Sequence, residues 1–146
     1  MDLFIIVQFF LLIILLILSA LVSGSEIAFF SLSNSEIENN IEENDKKVKT
    51  IKNLLKKPKR LLATILVTNN FINISIVLIF ANISRVFFKG AYNPVFTLLI
   101  EIGFVTITIL LFGEILPKVY ANRNPLRFAK FMSQPIKILD SYILFF

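Results

Sequence analysis

The sequence predicts an all-α integral membrane domain, with three transmembrane helices per subunit and amphipathic juxtamembrane helices on the cytoplasmic side. Three observations carry that prediction. Hydrophobic residues make up 56% of the chain and charged ones 17%, a balance far from that of soluble domains. The apolar residues gather into three runs of about 20 or more, the length that crosses a bilayer at roughly 1.5 Å per residue. The 15 basic residues fall mainly in two blocks, 46–60 and 118–137, each beside an apolar run. The net charge of +5 therefore points to a membrane surface and not to nucleic acid.

The first run, "LFIIVQFFLLIILLILSALV", carries no charge. Apolar residues continue through "SGSEIAFFSL", so the first span is expected over about 3–32. A secretory signal peptide would show a basic leading segment and a shorter apolar stretch; this chain starts Met-Asp, and the transmembrane reading is preferred. From 35 to 60 the chain has eight Lys/Arg and five Asp/Glu. Ile37, Ile41, Val48, Ile51 and Leu55 still recur there at helical spacings, which predicts an interfacial helix over about 35–57. The second charge-free run, "LLATILVTNNFINISIVLIF", predicts a span over about 61–88. Turn chemistry at Gly90 and Asn93-Pro94 separates it from a third span over about 94–119. The last segment, 125–146, places Phe128, Phe131, Met132, Ile136 and Leu139 opposite Arg127, Lys130 and Lys137, and reads as an amphipathic helix along the membrane, bent at Pro135.

Orientation follows from the basic residues. The short connection between spans two and three holds only Arg85 and Lys89 of the 15, and cytoplasmic loops carry the Lys/Arg excess. The N-terminus is expected outside and the C-terminus in the cytoplasm of a multi-pass cell-membrane protein. The chain reads as a single membrane domain over 1–146; a longer natural chain could carry a soluble domain after Phe146.

Polar residues inside the spans supply the candidate site. Ionised residues at membrane depth are expensive and mark ion or proton paths. Glu114 is such a residue, near the inner end of the third span. Ser23 and Ser25, Asn69 and Asn73, and Glu114 all fall roughly 7–18 Å from the cytoplasmic boundary, counted at 1.5 Å per residue. Asn69 and Asn73 share a helix face. Pro117 has no N–H and removes the helical partner of the Gly113 carbonyl. Ser23-Gly24-Ser25 is a Gly/Ser weak point where a helix can kink and free further carbonyls. The donor set is all oxygen, which suits magnesium, calcium or sodium and not softer metals.

Plainer roles compete at each position. Ser23, Gly24, Ser25 and Asn70 could simply pack helices, and Glu114 could pair with Lys118 one turn on. Glu26 could line a path or meet a basic residue, and Glu101 could meet Arg85 or Lys89. With neither His nor Cys in the chain, enzymatic schemes built on imidazole or thiol are excluded; an intramembrane hydrolase using Ser25 with Lys118 is the remaining enzymatic reading and is set aside.

"SGSEIAFFSLS" after a first span, "LVTNNFIN" in a second and "FGEILPK" ending a third together resemble the transmembrane domain of the cyclin M / CorC (CorB) family of magnesium transporters. The motifs match in order and spacing over most of the chain. The resemblance implies a homodimer of three-span subunits that exports magnesium, coupled to sodium entry; the expected mechanism is alternating access around one cation site, with the helices moving about Ser23-Gly24-Ser25 and the Pro117 break. It implies that Mg2+ is the transported ion, with Na+ as its counter-ion, and that Ser23 or Ser25, Asn69, Asn73, Gly113 and Glu114 hold it. Family members usually continue into CBS modules, and none is visible here. Thr68 stands where the family often has Gly before the first Asn. The rival to transport is a membrane anchor or ion-sensing module that binds without moving the ion.

Overall fold

A computed structural model describes residues 3–33, 46–87 and 93–144. Within them the chain is helical and contains no strand, as expected for an all-α membrane domain. Helix α1 spans Leu3–Phe30, α2 Lys46–Leu55, α3 Pro58–Phe87 and α4 Pro94–Thr108. A π-helical segment, Ile109–Ile115, joins α4 to α5, Leu116–Arg123, and α6 covers Pro125–Leu144. Three continuous helical stretches, Leu3–Phe30, Pro58–Phe87 and Pro94–Arg123, are long and apolar enough to cross a membrane.

Local chemistry sets the boundaries. Pro94 opens α4 with the Asn93 side chain accepting the Val95 N–H at 3.0 Å, an N-cap followed by proline in the first turn. Pro58 and Pro125 likewise stand first in α3 and α6, since the missing proline N–H costs nothing in a first turn. Asn124, at φ −132° and ψ 62°, ends α5. The spans differ from expectation at their ends. α1 stops at Phe30, two residues short; α3 starts three residues early, at Pro58; and the third span continues past 119 to Arg123. Within the interfacial helix expected at 35–57, α2 accounts for Lys46–Leu55, while Ile37 and Ile41 lie outside the described residues. α6 runs through Pro135 as one helix.

Contacts at matching depths give the directions of the spans. Phe9 meets Phe87 with ring centroids 6.1 Å apart, while Ser19 and Ser23 reach Asn73 and Asn69, so α1 and α3 run antiparallel. Phe80 stacks on Phe104 at 5.5 Å and Asn73 faces Glu114, so the third span runs antiparallel to α3. The first half of α1 is largely exposed, whereas Val22, Ser23, Gly24 and Ser25 are buried in succession. A helix buried all round at that level must be enclosed by neighbours. Those neighbours are α3, the π segment with α5, and α6, which packs Ala129, Met132, Ser133 and Ile136 into the interior. The exposed Phe71, Leu78, Phe104 and Ile107 are what a bilayer-facing surface requires.

α1 is an unbroken α-helix through Ser23-Gly24-Ser25, so the expected kink does not free carbonyls there. The glycine has another use. A Cβ on Gly24 would lie 2.5 Å from Cζ of Phe128, so the absent side chain makes room for a ring from α6. Tyr120 holds that ring from a second side, edge-on at 6.2 Å.

Candidate functional site

The polar residues of α1 and α3 meet in pairs. Ser23 Oγ donates to Asn69 Oδ1 at 3.2 Å. Ser19 Oγ lies 2.8 Å from Asn73 Oδ1 and 3.2 Å from Asn69 Oδ1. Both asparagine oxygens therefore point toward α1. The other end of the Asn73 amide faces the third span, where Nδ2 donates to Glu114 Oε1 at 3.4 Å. One network thus links three helices through five side chains: Ser19, Ser23, Asn69, Asn73 and Glu114.

The π segment brings the third span into this network. The Leu116 N–H reaches back five residues to Leu111 O, the wider π step, which occurs mostly as short insertions and often at functional sites. Pro117 follows with no N–H to give. Continuing the five-residue step would have placed its bond on Phe112 O, and resuming the four-residue step would have placed it on Gly113 O. Of the two residues whose carbonyls the Pro117 nitrogen could have served, Gly113 adjoins Glu114 and Phe112 stands just before Gly113. Gly113 is buried, and a Cβ there would stand 2.9 Å from Ser19 Oγ. Glycine at 113 lets the backbone of the third span approach the serine of α1.

Ser25 stands apart from the other expected site residues. It is fully buried, and its hydroxyl donates to Leu21 O of its own helix at 2.7 Å; none of its hydrogen bonds joins it to the Asn–Glu network. Ser19, not singled out from the sequence, takes its place at the centre and is 0% exposed. The available signal was its spacing: Ser19 is one turn before Ser23, as Asn69 is one turn before Asn73, so both pairs present matching faces. The Thr68 hydroxyl, beside Asn69, is buried without a hydrogen-bond partner. Asn70 is exposed and lines a shallow groove with Asn73 and Val77 on the outer side of α3.

The other acids among the described residues have partners away from this network. Lys118 Nζ sits 3.4 Å from Glu26 Oε2, so the lysine pairs across to α1, and Glu114 is left to face Asn73. Glu101 accepts a hydrogen bond from Ser84 at 2.5 Å, and Arg85 does not reach it; Lys89 lies outside the described residues. Among the described residues no three His, Cys, Asp or Glu cluster as a metal group. A cation here would rest on one carboxylate with neutral amide, hydroxyl and carbonyl oxygens, a hard-ion donor set of low charge.

In this arrangement the hydroxyl hydrogens of Ser19 and Ser23 point at the amide oxygens that a cation would need. Each hydroxyl has one hydrogen and two lone pairs. Turning the hydrogens away would leave the hydroxyl and amide oxygens of α1 and α3 facing one another as acceptors.

The model of the cyclin M transmembrane N-terminal domain matches residues 10–145 of this chain. A UPF0053 protein of Haemophilus influenzae is 36% identical over 138 residues, covering 94% of this chain and 31% of the relative. The UPF0053 inner membrane protein YfjD of Escherichia coli strain K12 is 30% identical over 125 residues, covering 84% of this chain and 28% of the relative. The chain spans about a third of the length of these curated relatives.

Proposed function

This chain belongs to the cyclin M transmembrane domain family, and from that premise we propose that it moves magnesium across the cell membrane, one ion at a time, by way of the polar network between α1, α3 and the π segment. The observation that supports this most is the convergence of Ser19, Ser23, Asn69, Asn73 and Glu114 from three spans on one level. Intramembrane carboxylates facing a bundle interior characteristically mark ion paths. Mg2+ demands short oxygen contacts and sheds water reluctantly. A pocket with one carboxylate attracts it and, through the neutral remainder, releases it again. The reaction is transport and not covalent chemistry, so the residues act by binding and positioning.

Alternating access would use the two places where the helical ladder is least regular, the π segment and the Pro117 step after it. Export coupled to Na+ entry, assembly as a homodimer, and an N-terminus outside with the C-terminus in the cytoplasm complete the proposal. The inner-membrane location named for the E. coli relative agrees with placement in a cell membrane. Ser25 and Gly113 join as supporting positions: Ser25 by holding the α1 backbone, Gly113 by close approach.

The deciding experiment is Glu114→Gln in proteoliposomes. Shape is nearly kept and the charge is lost, so Mg2+ binding and flux should fall to background while the assembly state is unchanged. Full flux by this variant would remove the assignment. The second reading, a static ion-sensing or anchoring module, is favoured by one observation, that the five side chains largely satisfy one another without an ion. Mg2+ binding by the wild-type chain with no flux under any imposed gradient would decide for it.

A further inference from the structure

The basic end of the bundle contains a second polar recess, separate from the Asn–Glu network. A cleft of about 260 Å³ opens between α2, the start of α3 and α6, with Asn53, Lys57, Arg60, Lys137, Asp140 and Ser141 on its walls. Three cations face one carboxylate. That carboxylate is engaged: Arg60 Nε and Nη2 contact its two oxygens at 3.1 and 3.0 Å, and the Thr64 hydroxyl shares its one hydrogen between Asp140 at 3.1 Å and Arg60 O at 3.0 Å. Lys57 and Lys137 have no ion-pair partner among the described residues. The surplus charge in the cleft is therefore theirs.

Location adds to charge. The cleft sits where α3, a membrane span, begins at Pro58, and the N-terminal end of a long helix carries partial positive charge. Its walls are completed by α2 and α6, whose apolar residues Val48, Ile51, Leu54, Met132 and Ile136 are buried against the bundle, leaving their polar faces at the bilayer surface. Two ammonium groups with no ion-pair partner among the described residues, beside an amide, match a phosphate bearing one or two negative charges once the basic end lies at headgroup depth. We propose that this cleft binds the phosphate of an anionic glycerophospholipid, with Lys57 and Lys137 as its charge partners and the Asn53 amide as a hydrogen-bond donor; the Ser141 hydroxyl donates to Lys137 O at 3.1 Å and only lines the wall. The Arg60–Asp140 pair forms the floor and sets the spacing of the two lysines. This inference needs only that the basic end lies at a bilayer surface; it does not depend on transport.

The test is native mass spectrometry of the 146-residue chain in detergent, with phosphatidylglycerol and phosphatidylethanolamine of matched acyl chains. Retention of phosphatidylglycerol should exceed that of phosphatidylethanolamine. It should fall roughly five- to tenfold for each lysine removed in Lys57→Gln and Lys137→Gln, and stay within about twofold of wild type in Lys52→Gln/Lys59→Gln, which removes the same charge from exposed positions outside the cleft. Lys57→Arg/Lys137→Arg should retain the lipid, which separates loss of charge from loss of fold. Equal losses in Lys57→Gln/Lys137→Gln and in Lys52→Gln/Lys59→Gln would show general surface attraction and overturn the site. Complete displacement of the lipid by millimolar inorganic phosphate would show a soluble-anion site and overturn the lipid assignment.

Discussion

Ser19 has one hydroxyl hydrogen and two amide oxygens within reach, at 2.8 and 3.2 Å; Asn69 also accepts from Ser23, so Ser19 is the α1 donor on which Asn73 depends. That makes it the most consequential side chain in the network without being its most polar. Replacing it with Ala should leave the Asn73 oxygen short of its donor, at about 1 kcal/mol for a hydrogen bond between membrane helices. If Ser19 also gives an oxygen to the ion, the Mg2+ dissociation constant should rise at least severalfold by isothermal titration calorimetry; an unchanged constant would restrict the residue to packing. Gly113 is sharper. The methyl of Gly113→Ala would press on Ser19 Oγ at 2.9 Å, so we expect a loss of about 1–3 kcal/mol from overpacking together with loss of ion binding. Gly103→Ala, where an added Cβ meets nothing within 4 Å, should be silent in both assays.

At the scale of elements, the π segment and α6 do different work. Pro117→Ala restores an N–H where the ladder lacks one. The variant should be at least as stable as wild type in thermal unfolding, and slower in transport if the irregular step is what moves. A variant both stabilised and fully active would show that the π segment only shapes the pocket. α6 is fastened by Asp140 to Arg60 and Thr64 of α3 and by the Phe128 ring over Gly24. Asp140→Ala removes three contacts to a carboxylate that is 14% exposed, so a loss of roughly 1–3 kcal/mol is expected, read as a lower unfolding temperature and faster proteolysis of the C-terminal segment.

Across the whole molecule, the proposed orientation rests on the charge distribution. The chain has no cysteine, so single cysteines report sidedness without background. Lys52→Cys and Arg85→Cys, both exposed and at opposite ends of the bundle, should react with a membrane-impermeant maleimide from the cytoplasmic and external sides respectively. The reverse pattern would invert the proposed topology and leave the pocket at the other membrane face.

The sequence by itself determined the all-α membrane class, the three spans and the family, because charge-free runs of about 20 residues have one economical solution in a bilayer and the three motifs sit on those runs in order. It also placed Ser23, Asn69, Asn73 and Glu114 at one depth, since rise per residue is nearly constant along a helix. Rotation about each helix axis was not legible, because it depends on which neighbours pack against which face. Only the tertiary structure could therefore turn Ser25 toward its own backbone, bring Ser19 to the centre, send Lys118 to Glu26 instead of Glu114, and fill the space over Gly24 with Phe128. The π step had no reliable signature either, as one extra residue in a turn costs little in local propensity and is decided by the contacts that Gly113 and Glu114 make once the spans have met.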